Sequence, residues 1–417
     1  MAGSAFRFLQ SSDLDLHRPL SALSGVPEEL RNECADSPFL AAERVFDLAL
    51  AERVDFLLLA GNVCDPRRAG ARGLVFLIQQ FERLEQNGIP IFWCHGNDDR
   101  VKRWPLAMKW PDNLHRFAVP APEAHYHTTE DGMTVEIIGN SWTRRAVKPA
   151  APINSSGDGV FTIALTGQKA SKSAAAETDP HWWALGGSKN RQTTDSNGSI
   201  AHWAGSPQGR SPSETGSHGC TIVEVDHDRE CVIHQHDCDL VRWADVEVEI
   251  QASWNRQDIV RAMRAKASEL SSSHVDRIAV ATWDLGTVPS SILDHRLRPN
   301  SAEWISEMQV ELRQGNSNII MAGLHWDTPF DETGIDEESL RGSFLRCLRA
   351  LLDEKQVAAI LRGSIPADLP PELAKKLSSE DAATIAMLVD QTASLGDALL
   401  DAADRCHAPP PDELEAA

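Results

Sequence analysis

Apolar residues fall into two alternating patterns along the first 150 positions. Short unbroken runs, Phe6-Arg7-Phe8-Leu9, residues 54–59 and Ile91-Phe92-Trp93, have the length of strands. Between them lie longer stretches with helical spacing. Residues 39–52 bring Ala42, Val45, Phe46, Ala49 and Leu50 to one face, and residues 74–86 repeat the pattern. Strand, helix, strand at this spacing predicts α/β layering with a sheet buried on both faces.

Shorter strands follow at 135–138, 160–165 and 220–225. Two Ser/Ala/Gly-rich stretches, 169–178 and 188–199, read as surface loops. A second unit is expected from about residue 245, with a strand at 246–250, a helix at 256–270, a strand at 277–283, a helix at 302–313 and a strand at 318–324. The remainder is helical and acidic. Residues 340–352 read as a helix with Leu340, Phe344, Leu345, Leu348 and Leu351 on one face, and Gly342 weakens its start. The expected domains are therefore 1–244, a small α+β cap at 245–330, and an acidic helical region with a frayed tail at 331–417.

Composition narrows the function classes. The formal charge is −21, and residues 331–417, with eighteen acidic and eight basic side chains, carry about half of that excess. Duplex DNA gripped by its phosphates calls for clustered Lys and Arg. Here the densest basic patch is Arg100-Val101-Lys102-Arg103, so DNA is expected only within a complex. No apolar run reaches the roughly 18 residues of a membrane-spanning helix, and the first ten residues hold no basic leader or apolar stretch. A cytoplasmic protein is expected, its eight scattered cysteines kept as reduced, buried thiols.

The candidate chemistry lies where the three early strands end. Ser12-Asp13-Leu14-Asp15 follows the first, Gly61-Asn62-Val63-Cys64-Asp65 the second, and Gly96-Asn97-Asp98-Asp99 the third. In α/β sheets ligands collect beyond the carboxyl ends of strands. Asp13 and Asp15, two apart on an extended segment, would face the same side. With Asn62, Asn97, Asp98 and Asp99 they supply oxygen ligands of the kind that Mg or Ca prefers. The bland alternative is that these acids are solvated turn residues capping helix starts. His17 and His95 flank the first and third turns and read as partly buried polar residues. His181 and His202 read as loop or strand residues, and Trp182, Trp183 and Trp203 as core. Arg210 could hold a phosphate or pair with a neighbouring acid.

These turns, with Trp183-Ala184-Leu185-Gly186-Gly187-Ser188-Lys189 and Gly205-Ser206-Pro207-Gln208-Gly209-Arg210, make the chain resemble the calcineurin-like metallophosphoesterases. Within them it is similar to the SbcD-type DNA repair exonucleases, especially their bacterial YhaO-like branch. The likeness spans residues 5 to 245. It implies a sandwich of two mixed sheets flanked by helices, followed by the small α+β cap and helical tail. It also implies a two-metal site, in which cations about 3.5–4 Å apart clamp hydroxide and phosphate. The motifs, however, are altered. D-x-H reads Asp13-Leu14-Asp15, G-D-x-x-D begins with Gly61-Asn62, and G-N-H-D reads Gly96-Asn97-Asp98-Asp99, with Asp98 at the catalytic histidine position. The histidine expected near Leu165-Thr166-Gly167-Gln168 is missing, and the final two histidines are Gly187 and Lys189. Of the positions that ligate or catalyse, only Asp13 and Asn97 keep the family's residue.

The resemblance with these replacements implies a member without nuclease activity and without a resident metal. Such a protein would be a structural or regulatory subunit beside an SbcC-type coiled-coil ATPase, engaged through the C-terminal helices. Those helices could equally pack on the protein's own domains. The competing expectation is an active phosphoesterase or nuclease with a single Mg or Mn on Asp13, Asp15, Asn62, Asn97 and Asp98.

Overall fold

In the computed structural model, the described residues are 5–117, 122–141, 159–169, 180–288, 302–327 and 339–350, apart from positions 22, 24, 25, 197, 252 and 317, together with residue 396. In chain order the elements are β1 (Phe6–Ser11), α1 (Glu28–Ala51), β2 (Phe56–Ala60), α2 (Pro66–Glu85), β3 (Ile91–Cys94), β4 (Leu114–Arg116), β5 (Glu123–Thr128), β6 (Thr134–Asn140), β7 (Val160–Lys169), β8 (Trp182–Gly186), β9 (Gln192–Ser196), β10 (Ser199–Trp203), β11 (Gly219–Val225), β12 (Cys231–Asp237), β13 (Val241–Glu247), α3 (Arg256–Ser273), β14 (Ile278–Thr287), α4 (Ala302–Leu312), β15 (Ile319–Asp327) and α5 (Leu340–Ala350).

Two six-stranded sheets carry the architecture, ordered β12-β11-β1-β2-β3-β4 and β5-β6-β7-β8-β10-β9. Both are mixed. β1, β2, β3 and β4 run parallel, while β11 returns antiparallel to β1. The two-residue period of the strands sorts their side chains. Leu9, Leu57, Leu59 and Trp93 face a layer with Ala42, Val45 and Phe46 of α1 and Leu77 and Phe81 of α2. Their neighbours Phe8, Phe56, Leu58 and Phe92 face Ile137, Phe161, Ile163 and Trp182 of the second sheet. The α/β layering that the apolar runs predict results, because strands buried on both faces read as continuous apolar sequence, and the second sheet completes the sandwich that the resemblance implies.

Helix boundaries depart from periodicity for identifiable reasons. α1 starts eleven residues before Phe39 and contains Pro38. Proline cannot donate to the carbonyl four residues back, that of Cys34, but Ser37 Oγ donates to it instead at 2.9 Å. In α2, Asp65 caps the N-terminus by accepting from the Arg67 N–H, and Gly70 at φ +61° breaks the helix before its main run. α5 begins ahead of Gly342, whose N–H is taken by Ser339 Oγ at 3.0 Å. The rest of the acidic tail, residue 396 apart, lies outside the described residues.

Two loop and strand expectations need correction. Residues 188–199 are not simply a loop, because Gln192–Ser196 forms β9, an edge strand antiparallel to β10. The strand expected at 246–250 starts at Val241 and ends at Glu247. Most of 169–178 lies outside the described residues. The small third sheet is ordered β13-β14-β15. By compactness the chain falls into a unit of residues 1–246, 264–282 and 305–323, and another of residues 247–263, 283–304 and 324–417. Among the described residues no helix is long and apolar enough to cross a membrane.

Candidate functional site

The parallel order β1-β2-β3 sets the three acidic turns side by side, and backbone pairing continues past the strand ends. The Asp13 N–H donates to Gly61 O at 3.0 Å, Asp15 N–H to Asn62 O at 2.9 Å, and Leu16 N–H to Val63 O at 3.1 Å. The floor is close-packed backbone. A Cβ on Gly61 would stand 2.7 Å from Gly167 Cα, and one on Gly167 would stand 2.6 Å from His95 O. Asp13, Asp15 and Asn62 adopt φ of +54°, +44° and +54°. Asp13 and Asp15 therefore do not lie on an extended segment as their spacing suggested. Non-glycine residues in this region cost energy, and the strain concentrates at the three positions that crowd the site.

Asp13 and Asp15 are each 1% exposed, so they are not solvated turn residues. Asn62 Nδ2 donates to Asp13 Oδ1 at 2.9 Å, and the Gly187 N–H donates to Asp13 Oδ2 at 2.9 Å. Lys189 reaches both carboxylates: its Nζ is 3.4 Å from Asp13 Oδ1 and closer still to Asp15 Oδ2. The other Asp15 oxygen, Oδ1, is buried with no hydrogen-bond partner. Burial pushes the Asp15 pKa up, but the charges of Lys189, Arg210 and Arg18 outweigh it and leave the group below its usual value.

The third turn is divided by exposure. Asp98 accepts from Arg18 Nη2 at 2.5 Å, while its N–H donates to Asn62 Oδ1 at 3.2 Å. Asn97 is exposed, and its Oδ1 is taken by Arg100. Asp99 is fully buried and accepts from the N–H groups of Asn62, Val63 and Gly96 and from Trp93 Nε1. Burial raises its pKa to about 7 against those donors. It ties the second and third turns together and serves the frame. Arg103 pairs with Asp65 at 3.0 Å and donates to Asp98 O at 2.8 Å. Arginines of the basic patch are thus engaged with the turns.

Arg210 is buried, with its guanidinium directed at the main-chain carbonyls of Leu14, Arg18 and Gln208. Those bonds brace the loop that carries Asp13 and Asp15, which is neither the phosphate contact nor the carboxylate pairing suggested by sequence. His95 is buried against Trp93 with no hydrogen bond to either ring nitrogen. His202 is buried between Thr193 and Thr221. Trp182, Trp183 and Trp203 are core residues.

Asp15, His17 and Asp98 place one ligand atom each within 4.8 Å of one another, a grouping that periodicity did not reveal. Hydrogen bonding argues against a metal there. His17 Nδ1 accepts from the Asp65 N–H at 3.1 Å, and its Nε2, 3.9 Å from Asp98, faces the Arg18 Nε–H at 3.4 Å, so both nitrogens of the neutral ring are already engaged. Ligating histidines instead donate from the second nitrogen, leaving the first bare. Burial lowers the His17 pKa, which favours that neutral form. A two-metal centre fits no better. Where the resemblance expects a bridging carboxylate stands the neutral amide of Asn62, which donates to Asp13, and an ammonium already lies on both aspartates. Sequence set the Lys189 ammonium where a ligand belongs, to repel a metal if it points inward, and it does point inward onto both aspartates. Arg18, three residues after Asp15, belongs to no motif that would single it out.

No protein-family model matches the chain. It is similar to the uncharacterized metallophosphoesterase YhaO of Bacillus subtilis strain 168, at 27% identity over 303 residues, covering 69% of this chain and 73% of the relative. Among solved structures, a dimetal phosphatase from Danio rerio aligns at 9% identity and TM-score 0.36, over 56% of this chain and 97% of that one. The protein TT1561 of Thermus thermophilus aligns at 11% identity and TM-score 0.32, over 55% and 98%. The sequence likeness is to a metallophosphoesterase.

Proposed function

We propose that this is an SbcD-like protein that has lost phosphoester hydrolysis and serves as a structural or regulatory subunit of a DNA-repair assembly. The observation that carries the loss is Lys189, whose ammonium lies on Asp13 and Asp15. An internal cation there supplies positive charge that metals would otherwise provide, but it can neither polarise a phosphate oxygen nor generate hydroxide as a metal does. Support for the repair setting comes from the motif order through Gly205-Ser206-Pro207-Gln208-Gly209-Arg210. The expected partner is a coiled-coil ATPase docking on the C-terminal helices, with DNA reached only through the complex.

The second reading, a single Mg or Mn on oxygen ligands, is favoured by the unpartnered Asp15 Oδ1. It requires Lys189 and Arg18 to leave their carboxylates. Calorimetric titration of the purified chain with Mn and Mg, beside metal analysis and a bis(p-nitrophenyl) phosphate assay, separates the two. Absence of stoichiometric binding and turnover is the expected result. Stoichiometric Mn binding lost in Asp13→Ala, with Asp13-dependent turnover, would overturn it. Capture of a coiled-coil ATPase by the intact chain and not by a chain ending at residue 330 tests the subunit role.

A further inference from the structure

Away from the strand-end turns, β11 and β12 bring two thiols together. Cys220 is the second residue of β11, and its cross-strand partner is His236, so Cys238 lies two positions beyond that partner. Their Sγ atoms are 3.6 Å apart. That is van der Waals contact, and a disulfide needs closure to about 2.05 Å. Both side chains are buried in the layer that also holds Ala42 and Val45 of α1.

The pair is chemically unequal. The contact between the two thiols, in which either sulfur can donate, favours a thiolate on Cys238, and with burial it raises the pKa of Cys220. The Arg191 guanidinium lies at the same strand end, where it donates to His236 O at 2.6 Å and pairs with Asp237 at 3.3 Å, and its charge favours the thiolate of either cysteine. One sulfur is thus the better nucleophile and the other is placed to resolve its oxidised form.

We propose that Cys220 and Cys238 are a redox couple that closes to a disulfide in response to hydrogen peroxide. The Cys238 thiolate attacks one peroxide oxygen, an S–O bond forms, the O–O bond breaks, and the departing hydroxide takes up a proton. Cys220 sulfur then attacks the Cys238 sulfenic acid. The S–S bond forms as the S–O bond breaks, and the second hydroxide leaves as water with the Cys220 proton. Two thiols and one peroxide give one disulfide and two waters. Access comes from β12, an edge strand paired only to β11, whose local opening sets the rate. The same strand ends connect to the turns. Cys238 N–H donates to His218 O, Gly219 N–H to Ser206 O, and Ser206 N–H to Lys189 O.

The test uses the full chain, reduced, freed of reductant, treated with hydrogen peroxide, alkylated and digested with trypsin. Cleavage at Arg229 separates the two cysteines, so their peptides stay joined only through a disulfide. Cys231 shares the Cys238 peptide, and Cys231→Ser removes that ambiguity. The expected result is a Cys220–Cys238 cross-link reversed by dithiothreitol and a melting temperature raised by roughly 5 °C. Cys220→Ser should leave Cys238 as a sulfenic acid trapped by dimedone. Peroxide that modifies exposed Cys347 but leaves both thiols free would overturn the proposal, as would cross-links confined to other cysteines. Should the serine variants misfold, peptide mapping in the unaltered chain decides alone.

Discussion

Replacing Lys189 by Met removes the ammonium while keeping most of the stem, and the structure sets the size of the effect. Asp13 retains two donors, the Asn62 amide and the Gly187 N–H. Asp15 loses its near partner, already has one oxygen unpaired, and keeps only Arg18 Nε at 3.9 Å and the field of Arg210. Breaking a buried ion pair from one side costs about 3–5 kcal/mol. The Lys189 side chain is 29% exposed, which favours the lower end, about 3 kcal/mol. For a unit of this size that is roughly 6–12 °C in melting temperature. The pH dependence has a definite sign. In the parent, Asp15 is depressed, so its contribution is complete above the ordinary carboxyl value of 3.8 and is lost as pH falls through the lower folded value. Without Lys189 burial dominates, the folded value rises, and protonation relieves the cost. The gap between parent and variant should therefore be widest at neutral pH and narrow toward pH 4. Urea unfolding at several pH values measures it, with Lys189→Met/Asp15→Asn expected to recover much of the loss. A deficit below about 1 kcal/mol, or one that the second substitution leaves unchanged, would refute the buried-pair argument.

Three further outcomes are expected. Arg210→Met should cost about 3 kcal/mol in unfolding experiments, because three carbonyls lose a buried charged donor. Arg210→Lys should recover only part of it, lacking the planar fork. Burial lowers His95 to about 3 and His202 to about 4, so both stabilise the fold above the unfolded value of 6.5 and lose that contribution as pH falls from there toward the folded values. His95→Leu should be nearly neutral at pH 7, since neither ring nitrogen is bonded, and should flatten the acid limb of a stability–pH curve. Gly167→Ala should destabilise by about 1–3 kcal/mol in thermal melts, as its methyl meets the His95 carbonyl.

What was legible in sequence followed from burial. β2 and β3 are buried at every position, so their runs announce themselves, and the parallel order of consecutive units brings their turns together. β9 was hidden because Gln192-Thr193-Thr194-Asp195-Ser196 is mostly exposed and is held by backbone pairing with β10, which leaves no apolar trace. At the site the residue types were readable but their use was not. That Lys189 would turn inward, that Arg210 would serve carbonyls, and that His17 would accept a backbone N–H all depend on side-chain direction across segments far apart in sequence. Spacing suggested an extended Asp13–Asp15 segment, whereas close packing of the neighbouring turns forces both residues to positive φ.

The glycine floor beneath these turns bears on how such a chain can change over generations. At Gly61 and Gly167 the backbones touch, so neither position can accept a larger residue without moving strands. The side chains above, at 13, 15, 62, 98 and 189, are held largely by contacts with one another and with the backbone of the turns. Matched substitutions there can exchange one set of charges for another without reopening the sandwich, whereas an unmatched one carries the cost worked out for Lys189. A lineage with this architecture can therefore part with its chemistry gradually while the body of the protein stays intact, ready for recruitment as a binding platform.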